Sequence, residues 1–338
     1  MSAHVSIDPQ PGWRSPLRRI EWVLDRSDAG QSTSGASVRA VLGVLFAAYG
    51  IALLAVEVAN NDFTPLPLFF LVFAVPMFTN RLGRFGRYFL PVLVGLVAYG
   101  AAAKYATQFK LHVHYTQQID LDRLLTGGNE VPTAWLQQHL YRGHTGPLEA
   151  VAVAAYAGHF LVPLALGAGL VLLGRTRTFT LLTFSILIAA MAAMVVFILM
   201  PTAPPWLAAQ RGYVDGVHHI LKQALYDLHM SSLGAVEGDP TKYDVTAAVP
   251  SLHTTFPFLC LLAARHARLP RWVVGLLALN LLAVVFSIVY TGEHYVVDAA
   301  AGALLAVTAW HLVQRLESRA QRRRVARDAA VSVQSRLP

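Results

Sequence analysis

The chain is 338 residues long, and 55% of its residues are hydrophobic whereas only 14% are charged. Together with a mean hydropathy of +0.48, this composition excludes an ordinary water-soluble globular domain and is typical of a protein that lies in lipid. The formal net charge of +8 does not indicate nucleic-acid binding, because the excess cations fall in tails and loops where they orient a membrane protein and attract anionic lipid. We therefore expect an integral membrane protein.

Eight apolar segments are candidates for membrane-spanning helices, the second of them being short. In chain order they are residues 36–58, 64–80, 87–106, 149–173, 178–200, 250–269, 272–291 and 295–316. The predicted fold class is an all-α polytopic membrane helix bundle of about eight transmembrane helices, which form one catalytic domain over residues 36–316. An even number of spans places both termini on the same side of the membrane.

The distribution of basic residues agrees with these spans, because Lys and Arg collect in cytoplasmic segments. Twenty of the 27 fall in the two tails and in alternate connections, and seven fall on the other side. We therefore predict that both termini are cytoplasmic, with polar basic tails at 1–35 and 317–338. The first tail has no early apolar stretch, which favours an uncleaved first span. The 23 Arg to 4 Lys indicate a GC-rich bacterial genome, and hence a bacterial plasma membrane with an extracytoplasmic outer face.

Two outer segments, 107–148 and 201–249, are too long to be simple connections. Apolar residues recur at helical spacing over 217–228, as in a helix that lies in the membrane interface, and a second such stretch begins at Trp135. These helices either cap the bundle or form the rim of a lipid-facing cleft. The proline-rich stretch MPTAPPW at 200–206 either stops the fifth span or contacts substrate.

Two short motifs, VPSLHTT at 249–255 and YTGEHYVVD at 290–298, place His253, His294 and Asp298 at the outer ends of apolar helices. Ionisable groups there are costly unless they function. His294 and Asp298 are four residues apart, so on a helix they share one face and the carboxylate can hold the imidazole in one tautomer. The two histidines are separated by 41 positions, which allows one helix inward and one back and brings both to the same membrane face.

The start of the sixth span is a predicted binding site for an anionic group such as phosphate. Pro250 can occupy the first helical turn, where free N–H groups combine with the hydroxyls of Ser251, Thr254 and Thr255. A phosphoryl centre between two histidines would favour covalent catalysis, with one imidazole attacking phosphorus and the other protonating the departing oxygen. Two His and one Asp could instead bind a metal ion. His159, inside the fourth span, is a further substrate-binding candidate.

At these residues the chain resembles the type 2 phosphatidic acid phosphatase superfamily. PSLH is similar to the second signature of that family, usually PSGH, and the spacing of Ser287, His294 and Asp298 is similar to the third, usually SRxxxxxHxxxD. The resemblance implies that His294 is a nucleophile that forms a phosphohistidine, that Asp298 orients it, and that His253 is the general acid and base. It also implies that the site needs no metal and no other cofactor.

The chain departs from the signatures where the family binds phosphate with cations. Ile288 occupies the arginine position of the third signature, Leu252 replaces the glycine before His253, and the first signature, KxxxxxxRP, is absent. A replacement cation is expected among the seven outer basic residues, of which Arg211 and Lys242 are favoured because they lie between the proline motif and PSLH. The other five are Lys104, Lys110, Arg123, Arg142 and Lys222.

Four further stretches resemble one branch of the superfamily, the inositol phosphorylceramide synthases and their bacterial relatives. They are VPTAWLQ at 131–137, YAGHFLVP at 156–163, PTAPPW at 201–206 and AVPSLH at 248–253, and the resemblance covers about 120–316. That branch implies a phosphotransferase that moves a phosphorylated headgroup from a phospholipid to a lipid alcohol. A lipid phosphate phosphatase, in which water accepts the phosphoryl group, and a non-catalytic lipid-binding scaffold remain the alternatives.

Overall fold

The computed structural model describes residues 33–62, 112–128, 130–239 and 244–334. Its regular elements within these ranges are eleven helices, without a β-sheet. They are α1 (Thr33–Asn60), α2 (Gln117–Leu125), α3 (Pro132–Leu140), α4 (Pro147–Leu172), α5 (Thr176–Leu199), α6 (Pro205–Gln210), α7 (Ile220–Asp227), α8 (Ser231–Gly234), α9 (Leu252–His266), α10 (Arg271–Tyr290) and α11 (Val296–Gln334).

Four of these helices are long and apolar enough to cross a membrane. They are α4, α5, α10 and the Val296–Arg319 part of α11, and their lengths are 26, 24, 20 and 24 residues. A helix of about 20 apolar residues matches the thickness of a bilayer core. The fourth, fifth, seventh and eighth predicted spans are therefore confirmed, and the chain is an integral membrane protein.

The other four predicted spans are not confirmed. The sixth corresponds to α9, which has only 15 residues because the chain before it is extended up to Ser251. The first lies within α1 (Thr33–Asn60), which is not among the four helices long and apolar enough to cross a membrane. The second and third, at 64–80 and 87–106, lie outside the described residues. The total of about eight spans and the side of the termini remain predictions.

Helix α9 lies inside the bundle, where it packs against α4, α5, α10 and α11. Its buried residues Leu259, Cys260 and Ala263 belong to the largest apolar core. The start of α9 approaches α11 so closely that a Cβ atom on Gly302 would lie 2.3 Å from the carbonyl oxygen of Ser251. Small residues permit such close approach between membrane helices, so Gly302 sets the distance between these two helices.

The two ends of the bundle differ in charge. At one end, the guanidinium of Arg177 pairs with both carboxylate oxygens of Glu317, at 2.9 and 3.0 Å, and Thr178 bonds to His266. The opposite end holds the start of α9, the end of α10 and the start of α11, which carry His253 and His294. His253 and His294 therefore lie at the end of the bundle opposite to Arg177.

An outer layer of short helices covers the histidine end. The predicted interfacial helices are present as α3 and α7, and α7 buries Ile220, Leu221 and Leu225 as it packs on α4. Thr202, in the proline-rich stretch, forms β-bridges with His114 and Ala247 and so joins the two outer segments. The outer segments therefore form one layer over the site rather than separate loops.

Helix α2 of this layer supports the start of α11 through Asp122. The buried carboxylate accepts hydrogen bonds from the backbone N–H groups of Val296 and Val297, both at 2.9 Å. These N–H groups have no partner within their own helix. Desolvation raises the pKa of Asp122 to about 6, although the two N–H groups oppose the shift. Asp122 is thus a helix cap supplied from a distant part of the chain.

We predict that Asp122→Ala lowers the free energy of unfolding by about 1–2 kcal/mol, because it leaves both N–H groups without an acceptor. Asp122→Asn, which retains one acceptor oxygen, should lose less. Thermal unfolding in detergent measures the difference, with Asp120→Ala as the control because Asp120 is an exposed carboxylate on the same helix. Equal melting temperatures for Asp122→Ala and Asp120→Ala would contradict the cap.

Candidate active site

The two histidines of the motifs face each other. Nδ1 of His253, near the start of α9, lies 2.9 Å from Nε2 of His294, in the turn between α10 and α11. The planes of the two rings are inclined by 60°, and their centroids are 5.0 Å apart. His294 is only 4% exposed. The structure thus places two imidazole nitrogens where both can reach the same atom.

Asp298 lies behind His294. Its Oδ2 atom is 3.4 Å from Nδ1 of His294, an ion-pair distance that is longer than an ideal hydrogen bond. The same oxygen accepts the N–H of Tyr295 at 3.0 Å, at the start of α11. Burial lowers the pKa of His294 to about 4, so its imidazole is neutral near pH 7. With Nδ1 directed at the carboxylate, the lone pair of Nε2 faces His253.

The turn that carries His294 continues from the last residues of α10. The N–H groups of Glu293 and His294 both donate to the carbonyl of Ile288, at 2.9 and 3.0 Å. Gly292 has a φ of +88°, in the left-handed region that side chains disfavour. Its carbonyl accepts the N–H of Trp206 at 3.1 Å. The proline-rich stretch that ends at Trp206 therefore contacts the turn of His294.

Gln137 holds the same turn from the other outer segment. Its amide nitrogen donates to the carbonyls of Tyr290, at 2.8 Å, and His218, at 3.0 Å, and its oxygen accepts the N–H of His218 at 2.6 Å. Gln137 is the last residue of the VPTAWLQ stretch at 131–137, and the sequence alone did not indicate a role for it. A buried amide with each end hydrogen-bonded fixes one geometry, so Gln137 sets the distance between α3, α10 and the chain before α7.

His159, the substrate-binding candidate inside the fourth span, lies beside His253. It is 1% exposed, and its ring lies 4.1 Å from that of His253, centroid to centroid. The ring of Tyr156 lies 4.7 Å from the same imidazole. Nδ1 of His159 is hydrogen-bonded to the carbonyl of Tyr156, one helical turn before it. The side chains of Tyr156 and His159 therefore both pack on His253 rather than on His294.

The hydroxyl residues at the start of α9 serve mainly to build the helix start. Ser251 is the N-cap, and its hydroxyl accepts the N–H of Thr254 at 3.4 Å. Thr255 donates to the carbonyls of Ser251 and Gly302. The hydroxyl of Thr254 is buried without a hydrogen-bond partner among the described residues. Pro250 precedes the helix and does not occupy its first turn, because the cap is Ser251.

A family model described as the PAP2 superfamily matches residues 119–312, which is more than half of the chain. The chain belongs to the PAP2 superfamily. It is therefore an enzyme of the lipid phosphatase or phosphotransferase type. No curated protein and no solved structure matches the chain. The sequence-based resemblance is confirmed for the superfamily, whereas the inositol phosphorylceramide synthase branch remains a proposal.

In this PAP2 enzyme the arginine position of the third signature belongs to the apolar core. Ile288 is fully buried in a cluster with Val284 and Val289, where a guanidinium would have no water. Of the two favoured replacements, Arg211 is solvent-exposed at the end of α6. Lys242 lies outside the described residues. Among the described residues, Arg211 has no contact with His253 or His294, and the prediction for Lys242 is not tested.

A cavity of about 720 Å³ in the outer layer is lined by Arg123 together with the acidic residues Glu130 and Asp215, and its lining does not include His253, His294 or Asp298. Its lining residues Val131 and Val214 share a buried cluster with Tyr295, and Gln137, which bonds to Tyr290, also lines it. Nε of Arg123 is buried and has no hydrogen-bond partner among the described residues. Arg123 was one of seven outer cations, but nothing in the sequence ranked it first, since the cavity forms only when α2, α3 and the chain before α7 come together.

We predict that Gly292→Ala lowers activity at least about ten-fold, because an alanine there is strained at positive φ and its Cβ would lie 2.9 Å from the carbonyl oxygen of His218. The matched control is Gly128→Ala, which has a φ of +89° but nothing within 4 Å of the added atom. Headgroup release or transfer and the melting temperature are measured for both variants. Equal activities would mean that the contacts of the turn do not position His294.

Proposed function

We propose that this enzyme is a membrane phosphotransferase that moves a phosphorylated headgroup from a phospholipid to a lipid alcohol, through a phosphohistidine formed on His294. The observation that carries the proposal is the continuous contact from Asp298 to His294 to His253, with 3.4 Å in the first step and 2.9 Å in the second. Covalent phosphoryl transfer needs a nucleophilic imidazole, a carboxylate that orients it, and a second imidazole that can transfer a proton at the same phosphoryl group.

In the first half-reaction, Nε2 of His294 attacks the phosphorus of a phosphodiester. The new N–P bond replaces the P–O bond to the lipid, and protonated His253 gives its proton to the departing lipid oxygen. The headgroup phosphate remains on His294, and the carboxylate of Asp298 offsets the positive charge on the substituted imidazole. His253 is left neutral beside the phosphorus.

In the second half-reaction, His253 accepts the proton of an incoming hydroxyl whose oxygen attacks phosphorus. The P–N bond breaks, and His294 is released as a neutral imidazole. A lipid alcohol gives a new headgroup-bearing lipid, whereas water gives hydrolysis by the same route. The burial of His294 and the outer layer over it favour the alcohol, because little water has access to the intermediate.

Substrate contacts are assigned around this pair. We assign the anionic headgroup to the cavity in the outer layer, with Arg123 as its counter-cation, because Arg123 is the basic side chain of the Lys and Arg type among the residues that line it. His159 and Thr254 would border the phosphoryl group from the side of α9 and α4, and Ser251 would hold the helix start in place. Arg211 and Lys242 remain candidates for contacts with the part of the headgroup that is closest to solvent.

The proposed location is a bacterial plasma membrane, with the histidines at the extracytoplasmic face. The paired Arg177 lies at the end of the bundle opposite to His253 and His294. Basic residues concentrate on the cytoplasmic side of membrane proteins, which supports the outer placement of the site. A phospholipid headgroup would then enter the cavity from the outer leaflet.

We predict that His294→Ala abolishes turnover, by at least about 1,000-fold, because no covalent intermediate can form. The assay uses protein in vesicles with a headgroup-labelled phospholipid and a panel of lipid alcohols, and mass spectrometry identifies the products. His311→Ala is the control, because His311 is an exposed histidine about 22 Å along α11 from its start.

A new headgroup-bearing lipid that requires the alcohol establishes the transferase, and a released phosphorylated headgroup establishes a hydrolase. Turnover that survives in His294→Ala contradicts the mechanism. The absence of turnover with every lipid tested, in a folded wild-type protein, would favour the lipid-binding scaffold.

We also predict that Arg123→Ala raises KM by about ten-fold with a smaller change in kcat, because the cation binds the headgroup in both ground and transition states. Arg211→Ala, which removes an exposed guanidinium, should change KM less than two-fold. Steady-state kinetics of both variants separate the two assignments. The reverse order, with Arg211→Ala the more damaging, would place the counter-cation at the end of α6.

A further inference from the structure

A second cluster of ionisable side chains lies next to the histidine pair and has no part in the phosphotransfer steps. His219 is the residue before α7, Glu237 lies in the turn after α8, and Glu293 is the neighbour of His294. One ligand atom from each of the three lies within 4.8 Å of the others. Nε2 of His219 and Oε1 of Glu293 are 2.9 Å apart.

Of the two facing members of this cluster, Glu293 is buried and His219 is partly buried, with side-chain exposures of 8% and 10%. Glu293 is 7% exposed, and its Oε1 atom has no hydrogen-bond partner among the described residues. Nε2 of His219 also has no hydrogen-bond partner among the described residues. The contact of 2.9 Å between Nε2 of His219 and Oε1 of Glu293 therefore lacks the geometry of a hydrogen bond. A buried carboxylate oxygen without a partner is costly unless another group binds it.

The surrounding residues hold the imidazole in this orientation. The indole ring of Trp206 stacks on His219, with the centroids 4.3 Å apart and the planes inclined by 3°. Gly238, with a φ of +76°, brings the turn of Glu237 against the same ring, where a Cβ atom would lie 3.1 Å from Cε1 of His219. The cluster is therefore built from three separate segments and two packing contacts.

We propose that His219, Glu237 and Glu293 form a binding site for one divalent transition-metal ion, with Zn²⁺ as the best match. One imidazole nitrogen and two carboxylate oxygens are ligands that Zn²⁺ accepts, and three protein ligands leave a position for water. Two ligands at about 2.1 Å from one ion are roughly 3.0–3.4 Å apart, close to the separation of His219 and Glu293. The third ligand would be the carboxylate of Glu237, on the turn after α8, whose ligand atom lies within 4.8 Å of those of His219 and Glu293.

The ion would have a structural role. It would join the outer segment at 201–249 to the turn that carries His294, without contact between the metal and the phosphoryl group. This site is separate from the His253, His294 and Asp298 group, for which the family resemblance implies no metal. The proposal therefore does not depend on the phosphotransfer mechanism.

The test uses the full-length protein, purified with a tag that contains no histidine and stripped with a chelator. Zn²⁺ is titrated in competition with a fluorescent chelator, and the melting temperature is recorded with and without the ion. We expect one Zn²⁺ per chain and a rise in the melting temperature. His219→Gln and Glu293→Gln should each weaken binding at least about ten-fold and lose the rise. Both replacements keep a polar group of similar size, which favours folding.

The matched control is His218→Gln, since His218 is the exposed neighbour of His219. This variant should bind Zn²⁺ as the wild type does. Equal affinity in all four proteins would mean adventitious surface binding and would overturn the proposal. No bound Zn²⁺ in the folded wild type would also overturn it and would leave His219 and Glu293 as a neutral pair.

Discussion

The buried carboxyl residue Asp298 joins the two helix starts on which the histidines lie. Its backbone carbonyl accepts the N–H of Ser251, at 3.1 Å, before α9, and its side chain accepts the N–H of Tyr295, at 3.0 Å, before α11. The same carboxylate faces His294. Because one residue contacts both helix starts and the imidazole, the helix geometry and the orientation of His294, the proposed nucleophile, depend on each other.

This arrangement explains why the outer layer is elaborate. The buried carboxylate of Asp298, the buried imidazole of His294 and the partly buried imidazole of His253 are costly in an apolar bundle, so the chain around them must supply specific hydrogen bonds. Asp122 caps α11, Gln137 holds the end of α10, and the segment at Trp206 holds Gly292. The layer that fixes the site also covers it, and such exclusion of water is what the proposed transfer to an alcohol would need.

The features that depend on residues close together in the chain could be predicted from the sequence. Hydropathy located the four helices in the described part of the chain that are long and apolar enough to span a membrane, and the spacing of four residues placed Asp298 behind His294. Contacts between distant segments could not be predicted: Asp122 meets Val296 across 174 residues. For the same reason the sequence could not show that Arg123 lines a cavity, because proximity in sequence favoured Arg211 and Lys242, which remain predictions. The length of α9 was overestimated because hydropathy does not show where an extended entry becomes a helix.

The most direct test of the central claim is to identify the residue that carries the phosphoryl group during turnover. The enzyme is mixed with a phospholipid that carries a radiolabelled phosphate, quenched in alkali within the first turnover, and digested for peptide mapping. We expect acid-labile, alkali-stable label on the peptide that contains His294. Label on another residue, or turnover without any labelled enzyme under conditions that trap the intermediate, would contradict covalent catalysis by His294.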